Sequence, residues 1–333
     1  MSPSDHPDQE PKISVIVPVF NVAAYIEDGL NSIVHQDFGD AYEIILIDDC
    51  STDGSDEICR QMAASHADKF RLIQCQTNSG VSVARNQGLD QAKGRYVVFF
   101  DPDDILPPAA LSRLFEAAQQ YDADIVKGNL TLFDETYRKP APDQVNTLRI
   151  VRGKEVLTTL FEHSEVRGHI GGKMFRRDKF RELRFPVGVR MAQDLLFFSE
   201  LFSEADSLVL LNHEVYCYRK HSAGSTGGKY ARGSYVDWLG AVEKSGSFAS
   251  DNEQKRAHKK LLVLTMTQIA REGRKIPPDN AQPVLEMIEE KCRQWNIRLF
   301  DLVVLDRLGL RSISRYIKLQ IALMHIRRNL SRA

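Results

Sequence analysis

Residues 96–104 read Tyr-Val-Val-Phe-Phe-Asp-Pro-Asp-Asp: five apolar or aromatic residues running straight into a cluster of carboxylates. An unbroken apolar run of this length suits a strand covered on both faces. It delivers Asp101, Asp103 and Asp104 to the end of a sheet. Carboxylates held side by side repel one another and call for a compensating charge. A divalent cation with oxygen ligands supplies one, and Mg²⁺ commonly bridges one or two carboxylates to substrate phosphates. The competing reading is a solvated turn, because Asp and Pro also begin turns.

Outward from this stretch, apolar runs recur at Ile13 to Phe20, Tyr42 to Ile47, Phe70 to Cys75 and Asp124 to Leu130. Between them, Ala23 to His35 carries apolar residues at helical spacing (Ile26, Leu30, Ile33, Val34). Ser55 to Ala64 and Val81 to Ala92 also read as helices. Pro107 and Pro108 stand where another helix begins, a position that tolerates proline. Strands alternating with helices at this spacing predict parallel β-α-β units in an α/β fold. Ligands of such sheets bind beyond the carboxyl ends of the strands. Those ends are Pro18-Val19-Phe20-Asn21, Asp48-Asp49 and Asp101-Pro102-Asp103-Asp104, three polar termini expected on one edge.

The chain has 333 residues, with 43% hydrophobic and 27% charged residues, enough apolar content for a full core. Its length predicts about two domains. A net charge of -1 argues against a nucleic-acid partner. The five cysteines (Cys50, Cys59, Cys75, Cys217, Cys292) show neither zinc spacing nor a disulfide framework, which fits reduced thiols in the cytoplasm. Residues 1–11 are polar without an apolar signal region and read as a disordered leader. No stretch reaches the roughly 18 apolar residues that span a bilayer. The pattern loosens from about 135 to 230, and the last hundred residues read as mostly helical.

The segments SVIVPVFN (14–21), EIILIDDCSTDGS (43–55), NSGVSVARNQGL (78–89) and GRYVVFFDPDD (94–104) resemble family 2 glycosyltransferases of the GT-A fold. The resemblance covers roughly 12–220. It implies a Rossmann-like, mostly parallel sheet flanked by helices over 12–230. Residues 12–130 form its nucleotide-binding half and 131–230 its acceptor half, with a mainly helical region at 231–333. It also implies a nucleotide diphosphate sugar donor, UDP-linked, and a Mn²⁺ or Mg²⁺ cofactor. On this chain, Pro18 and Phe20 would line the base, Asp49 would accept a hydrogen bond from uracil, and Arg85 would approach the base or phosphates. Asp101 would lie near ribose and metal, and Asp103 would hold the metal against the diphosphate. On their own, Asp49 and Asp53 also read as turn and cap residues, and Arg85 as a solvated helix residue.

An acceptor hydroxyl must lose its proton as it attacks, and a carboxylate opposite the leaving group serves an inverting displacement. Met191-Ala-Gln-Asp194-Leu resembles the family's Glu-Asp segment, with Asp194 at the base position and Gln193 where Glu is common. Asp194 alone also suits a helix N-terminus electrostatically. Tyr218 to Gly228 resembles the loop closing over the diphosphate, with His221 as a third metal ligand and Arg219 and Lys220 on phosphate. His169, Gly172 and Lys173 are expected to border the acceptor.

Residues 307–333 hold seven Lys and Arg and no acidic residue beyond position 307, with Leu310, Ile313, Ile317, Ile321 and Met324 at helical spacing. Such a basic amphipathic helix suits either an anionic membrane surface or docking on protein. The expected setting is the cytoplasm, peripheral on the inner face of the membrane, with a glycan or glycolipid acceptor. Two rivals remain. A sugar-1-phosphate nucleotidyltransferase would want a basic Gly-rich loop after the first strand. A non-catalytic nucleotide-sugar-binding assembly subunit would not need intact Asp101, Asp103 and Asp194.

Overall fold

The computed structural model describes residues 10–134, 148–189, 191–220, 232–272, 290, 291 and 294. Residues 1–9 of the polar leader, His221 and the basic C-terminal tail lie outside the described residues. By Cα proximity the chain divides into two compact units. The first comprises Met1–Val156, Gly168–Gly188 and Glu204–Gly228; the second comprises Leu157–Arg167, Val189–Ser203 and Lys229–Ala333.

The first unit holds an eight-stranded sheet. Its strands are β1 (Ile13–Val19), β2 (Tyr42–Asp48), β3 (Phe70–Gln74), β4 (Tyr96–Phe99), β5 (Ile125–Phe133), β6 (Leu148–Arg152), β7 (Lys173–Arg176) and β8 (Ser207–Arg219). They lie in the order β3-β2-β1-β4-β7-β5-β8-β6. β1 pairs in parallel with β2 and β4, β2 with β3, and β5 with β8. Only β7 and β6 run against the rest. The parallel β-α-β arrangement therefore holds across the first four strands, and the two reversed strands fall where the sequence pattern loosens.

Every residue of β1 and β4 is buried, as their unbroken apolar character requires. Helices α1 (Ile26–Val34), α2 (Ser55–Ser65), α3 (Val81–Gln91) and α4 (Ala110–Gln120) connect the parallel strands. In α1 the buried residues are Ile26, Gly29, Leu30, Ile33 and Val34, a single apolar stripe. Gly88 brings α3 onto β1, where a Cβ would run into the Ile16 side chain. One contiguous cluster runs from Ile13, Val15 and Val17 through Leu46, Val98 and Leu114 to Val209 and Tyr216.

The second unit is helical among its described residues. It contains most of α5 (Glu155–Glu162), α6 (Ser164–Arg167), nearly all of α7 (Gln193–Glu204), α8 (Arg232–Ser245) and α9 (Asn252–Glu272). His258 of α9 is buried, with its Nε2 2.6 Å from the Val242 carbonyl of α8 and its ring against Phe161. No helix among the described residues is long and apolar enough to cross a membrane.

Candidate donor-binding site

The site begins with adjacent parallel strands. β2, β1 and β4 are neighbours running the same way, so Asp48-Asp49, Phe20-Asn21 and Asp101 leave the sheet along one edge. Asn21 and Cys50 both take positive φ (51° and 65°), turning the chain sharply at these ends. The two loops then bind each other. Thr52 N–H donates to Asn21 Oδ1 (2.8 Å), Asn21 N–H to Ser51 Oγ (3.1 Å) and Val22 N–H to Ser55 Oγ (2.9 Å). Asp53 Oδ2 accepts from Ala23 N–H, and Oδ1 from both the N–H and hydroxyl of Ser55. Burial opposes ionisation of Asp53, yet the Ser55 hydroxyl and these N–H groups outweigh it and hold the carboxyl below its usual range. Asp53 is thus a strut between loops, and the cap position of α2 itself is Gly54.

Asp49 is buried, and both of its oxygens are engaged. Ser79 N–H donates to Oδ1 (2.8 Å) and Gly80 N–H to Oδ2 (2.7 Å). Gly80 has φ 89°, a conformation that excludes a side chain at low cost. Asp49 therefore fixes the turn that launches α3, a task its sequence position does not advertise. Pro18 is buried within β1, and Phe20 stands 46% exposed just past the strand end.

From α3, Arg85 is not on a solvated face. It is buried, its Nη2 lies 3.0 Å from Asp101 Oδ1, and its guanidinium stacks 5.2 Å from the Phe185 ring. Asn86 holds Phe185 reciprocally: Phe185 N–H donates to Oδ1 (2.7 Å) and Nδ2 donates to the Phe185 carbonyl (3.0 Å).

The acidic turn itself is split. Asp101 and Asp103 are partly exposed, whereas Asp104 is fully buried. Burial, with added repulsion from Asp101 and Asp103, pushes the Asp104 carboxyl up to about 8. Tyr216 hydroxyl donates to Asp104 Oδ2 (2.7 Å) and Arg219 N–H to Oδ1 (2.8 Å). Arg219 Nε donates to the Asp103 carbonyl (2.8 Å), and its guanidinium packs on Tyr25 and Phe133.

That geometry revises two expectations. Arg219 is a buried brace of the acidic turn, because its head group is held between two rings and a main-chain carbonyl. Lys173 is 2% exposed, with Nζ on the carbonyls of Gly168 (3.0 Å) and His169 (2.5 Å), so it shapes its loop from inside. His169, at φ 52°, packs on Tyr218. Tyr216 is the residue of the site that sequence reasoning missed, along with the bracing roles of Asp104 and Arg219. Tyr216 is 112 residues from Asp104, and only tertiary structure joins them. Asp194, at the second residue of α7, belongs to the second unit.

Among the described residues no group of three or more His, Cys, Asp and Glu is placed to hold a metal ion. The donor set of the turn nonetheless fits a hard cation. Two partly exposed carboxylates suffice when substrate phosphates complete the shell. Asp101 and Asp103 also repel the Asp104 carboxylate, a charge excess that a bound cation would relieve.

Fold and site together define an α/β protein with an acidic turn at the carboxyl ends of neighbouring parallel strands. The chain belongs to glycosyl transferase family 2, whose family model matches residues 14–184. It is 34% identical over 215 residues to the uncharacterized glycosyltransferase EpsJ of Bacillus subtilis, covering 63% of this chain and 62% of EpsJ. It is 32% identical over 216 residues to glycosyltransferase GlyA of Streptococcus pneumoniae, covering 62% of this chain and 30% of GlyA. The chain thus spans less than two thirds of both relatives. Staphylococcus aureus TarS 1–349, solved with UDP-GlcNAc, shares the fold with a TM-score of 0.62 at 20% identity, over 96% of this chain and 89% of TarS 1–349. The mannosyltransferase PcManGT of Pyrobaculum calidifontis, solved with GDP-Man and Mn²⁺, shares it with a TM-score of 0.54 at 18% identity, over 97% and 88%.

Proposed function

We propose that this chain transfers a sugar, with inversion, from a UDP-sugar to a hydroxyl of a glycan or lipid-linked glycan. The observation that carries the reading is the convergence of Asp49, Arg85 and the Asp101–Asp104 turn at the carboxyl ends of three neighbouring parallel strands. The UDP-GlcNAc and UDP complexes of TarS support a uridine donor, and the teichoic-acid protein GgaB, 27% identical over 214 residues, supports a surface-glycan setting.

In this reading the exposed Phe20 ring and Pro18 line the base, beside the turn that Asp49 holds. Arg85 places fixed positive charge next to Asp101 and the phosphates. Asp101 and Asp103 would hold Mn²⁺ or Mg²⁺, with His221 as a further ligand. The cation would neutralise the charge developing on the departing nucleoside diphosphate. Asp194 takes the proton from the acceptor hydroxyl. The basic segment 307–333 would bind an anionic leaflet at the cytoplasmic face. Co-sedimentation with anionic vesicles checks that last element, since equal binding by a chain lacking 307–333 would remove it.

The reading is tested by incubating the protein with Mn²⁺, a panel of nucleotide sugars and glycan acceptors, and following products by mass spectrometry. UDP release coupled to a glycosylated acceptor is the expected result. Pyrophosphate release from nucleoside triphosphate plus sugar phosphate would instead reveal a nucleotidyltransferase. Binding of donors without turnover on any acceptor would favour an assembly subunit.

A further inference from the structure

Resting on the donor site proposed above, we infer that Tyr216 is a positioning residue whose buried hydroxyl sets the conformation in which Asp101 and Asp103 meet the donor diphosphate. The hydroxyl works in both directions. It donates to Asp104 Oδ2 (2.7 Å) and accepts from the backbone N–H of Asp101 (3.1 Å). One oxygen atom therefore ties the first residue of the acidic turn to the last.

β8 completes the grip. Arg219 N–H takes the other oxygen of Asp104, and Arg219 Nε takes the Asp103 carbonyl. Ile105 and Cys217 exchange both main-chain bonds (3.0 and 2.9 Å). Backbone groups at 101, 103 and 105 are thus all held by one strand. That strand pairs with β5 and β6, and β4, which leads into the turn, pairs with neither.

The phenol is itself tightly placed. Tyr216 is 1% exposed and its ring lies edge-on to Phe100 at 5.9 Å. Gly171 lies against the ring, and a Cβ there would overlap it. On the other flank, a Cβ on Gly29 would overlap the Pro102 carbonyl, so α1 closes the turn from that side. A side chain this constrained serves poorly as a reactive group and well as a fixed reference point. Groups that hold metal-binding carboxylates in this way typically matter 10- to 100-fold in metal affinity when removed, as an order of magnitude.

The test is Tyr216→Phe, which keeps the ring and its packing and removes only the hydroxyl. Mn²⁺ is titrated into protein with UDP by calorimetry, with a melting curve on the same samples. The expected result is a folded variant whose apparent Mn²⁺ affinity falls about tenfold or more, while UDP binding without metal stays within about twofold of wild type. Asp104→Asn, of the same shape, should weaken Mn²⁺ similarly, and the double variant should be no worse than either single. A Tyr216→Phe protein that melts lower but titrates like wild type would overturn the inference, showing the hydroxyl to be structural only. Should Tyr216→Phe not fold, an unchanged Mn²⁺ titration by folded Asp104→Asn overturns it equally. Wild-type protein that fails to bind UDP with Mn²⁺ would overturn the donor site and this inference together. Wild-type binding with an indifferent Tyr216→Phe would overturn this inference alone.

Discussion

Arg85 Nη2 and Asp101 Oδ1 lie 3.0 Å apart, joining a buried helix residue to the partly exposed head of the acidic turn. The side chains are 5% and 31% accessible, so the pair lies between a surface contact and a fully buried one. Arg85 gains a fixed direction from Phe185 beneath it and from Asn86 behind Phe185. In the proposed reading, this guanidinium would release Asp101 to a cation and turn its charge on phosphate.

Arg85→Ala is expected to weaken UDP binding in Mn²⁺ by roughly 10- to 100-fold, the range for a lost hydrogen bond to a charged group. Arg85→Lys should fall between, since an ammonium keeps the charge and loses the planar fork. Calorimetric titration with UDP checks this. Wild-type affinity in Arg85→Ala would show the ion pair to be structural alone.

Asp49 should prove as important to stability as to the nucleotide. Asp49→Ala orphans the N–H groups of Ser79 and Gly80, at about 1–3 kcal/mol for each unsatisfied donor that stays buried. Asp49→Asn leaves one N–H facing an amide donor and should sit between. Urea unfolding of the three proteins without ligand separates this structural cost from any loss of UDP binding. Equal midpoints would mean that the turn before α3 does not depend on Asp49.

The pH dependence of stability should carry the signature of Asp104. Its carboxyl rises from an ordinary value near 3.8 to about 8 in the folded protein, through burial first and then Asp101 and Asp103. The folded state therefore binds more protons than the unfolded state between those values. Its contribution to stability is complete below about 4 and is lost as pH rises toward 8. The slope is at most about 1.4 kcal/mol per pH unit. In chelator, wild type should lose stability relative to Asp104→Asn from pH 5 to pH 8, and denaturation at several pH values measures it. Parallel curves would place Asp104 in its charged form throughout.

Much of this architecture was legible in the chain itself. The runs at 13–20, 42–47, 70–75 and 96–100 became β1 to β4 within a residue or two, because fully covered parallel strands leave an uninterrupted apolar record. The same logic placed Asp49 and Asp101 on one sheet edge. What stayed hidden depends on long-range contacts. Nothing local to Val-Tyr-Cys-Tyr at 215–218 says that Tyr216 will reach Asp104. Arg219, expected on phosphate because 218–228 resembles the family's donor-closing loop, is instead enclosed by Tyr25 and Phe133. β6 and β7 were unreadable because short reversed strands carry neither the unbroken apolar run nor the β-α-β spacing.

At the opposite end of the sheet, Lys179 bridges Asp124 (2.7 Å) and Asp206 (2.6 Å), and Arg176 bonds Asp122. Asp124 is buried and also accepts Asp206 N–H (2.7 Å). Lys179→Met keeps most of the aliphatic stem and removes the charge from a buried carboxylate. A destabilisation of about 2–4 kcal/mol is expected, below the 3–5 kcal/mol of a wholly buried pair because Lys179 is partly exposed and Arg176 remains near. Denaturant midpoints should show it, and catalytic constants at moderate temperature should not move.

The sharpest separation of chemistry from structure is available at Asp194. It occupies the first turn of α7, where any carboxylate favours the helix. A helix-terminal role alone would tolerate asparagine at a cost of about 0.3–1 kcal/mol, the exposed-site value of that charge interaction. A general base would not, because an amide cannot accept the acceptor's proton. Asp194→Asn is therefore expected to melt close to wild type and bind UDP-sugar normally, yet lose transfer by a factor of about 10²–10⁴. Turnover with saturating donor and acceptor, read beside donor calorimetry on the same preparation, distinguishes the two roles. A variant that transfers sugar at the wild-type rate would remove Asp194 from the chemistry and leave it only its place at the start of the helix.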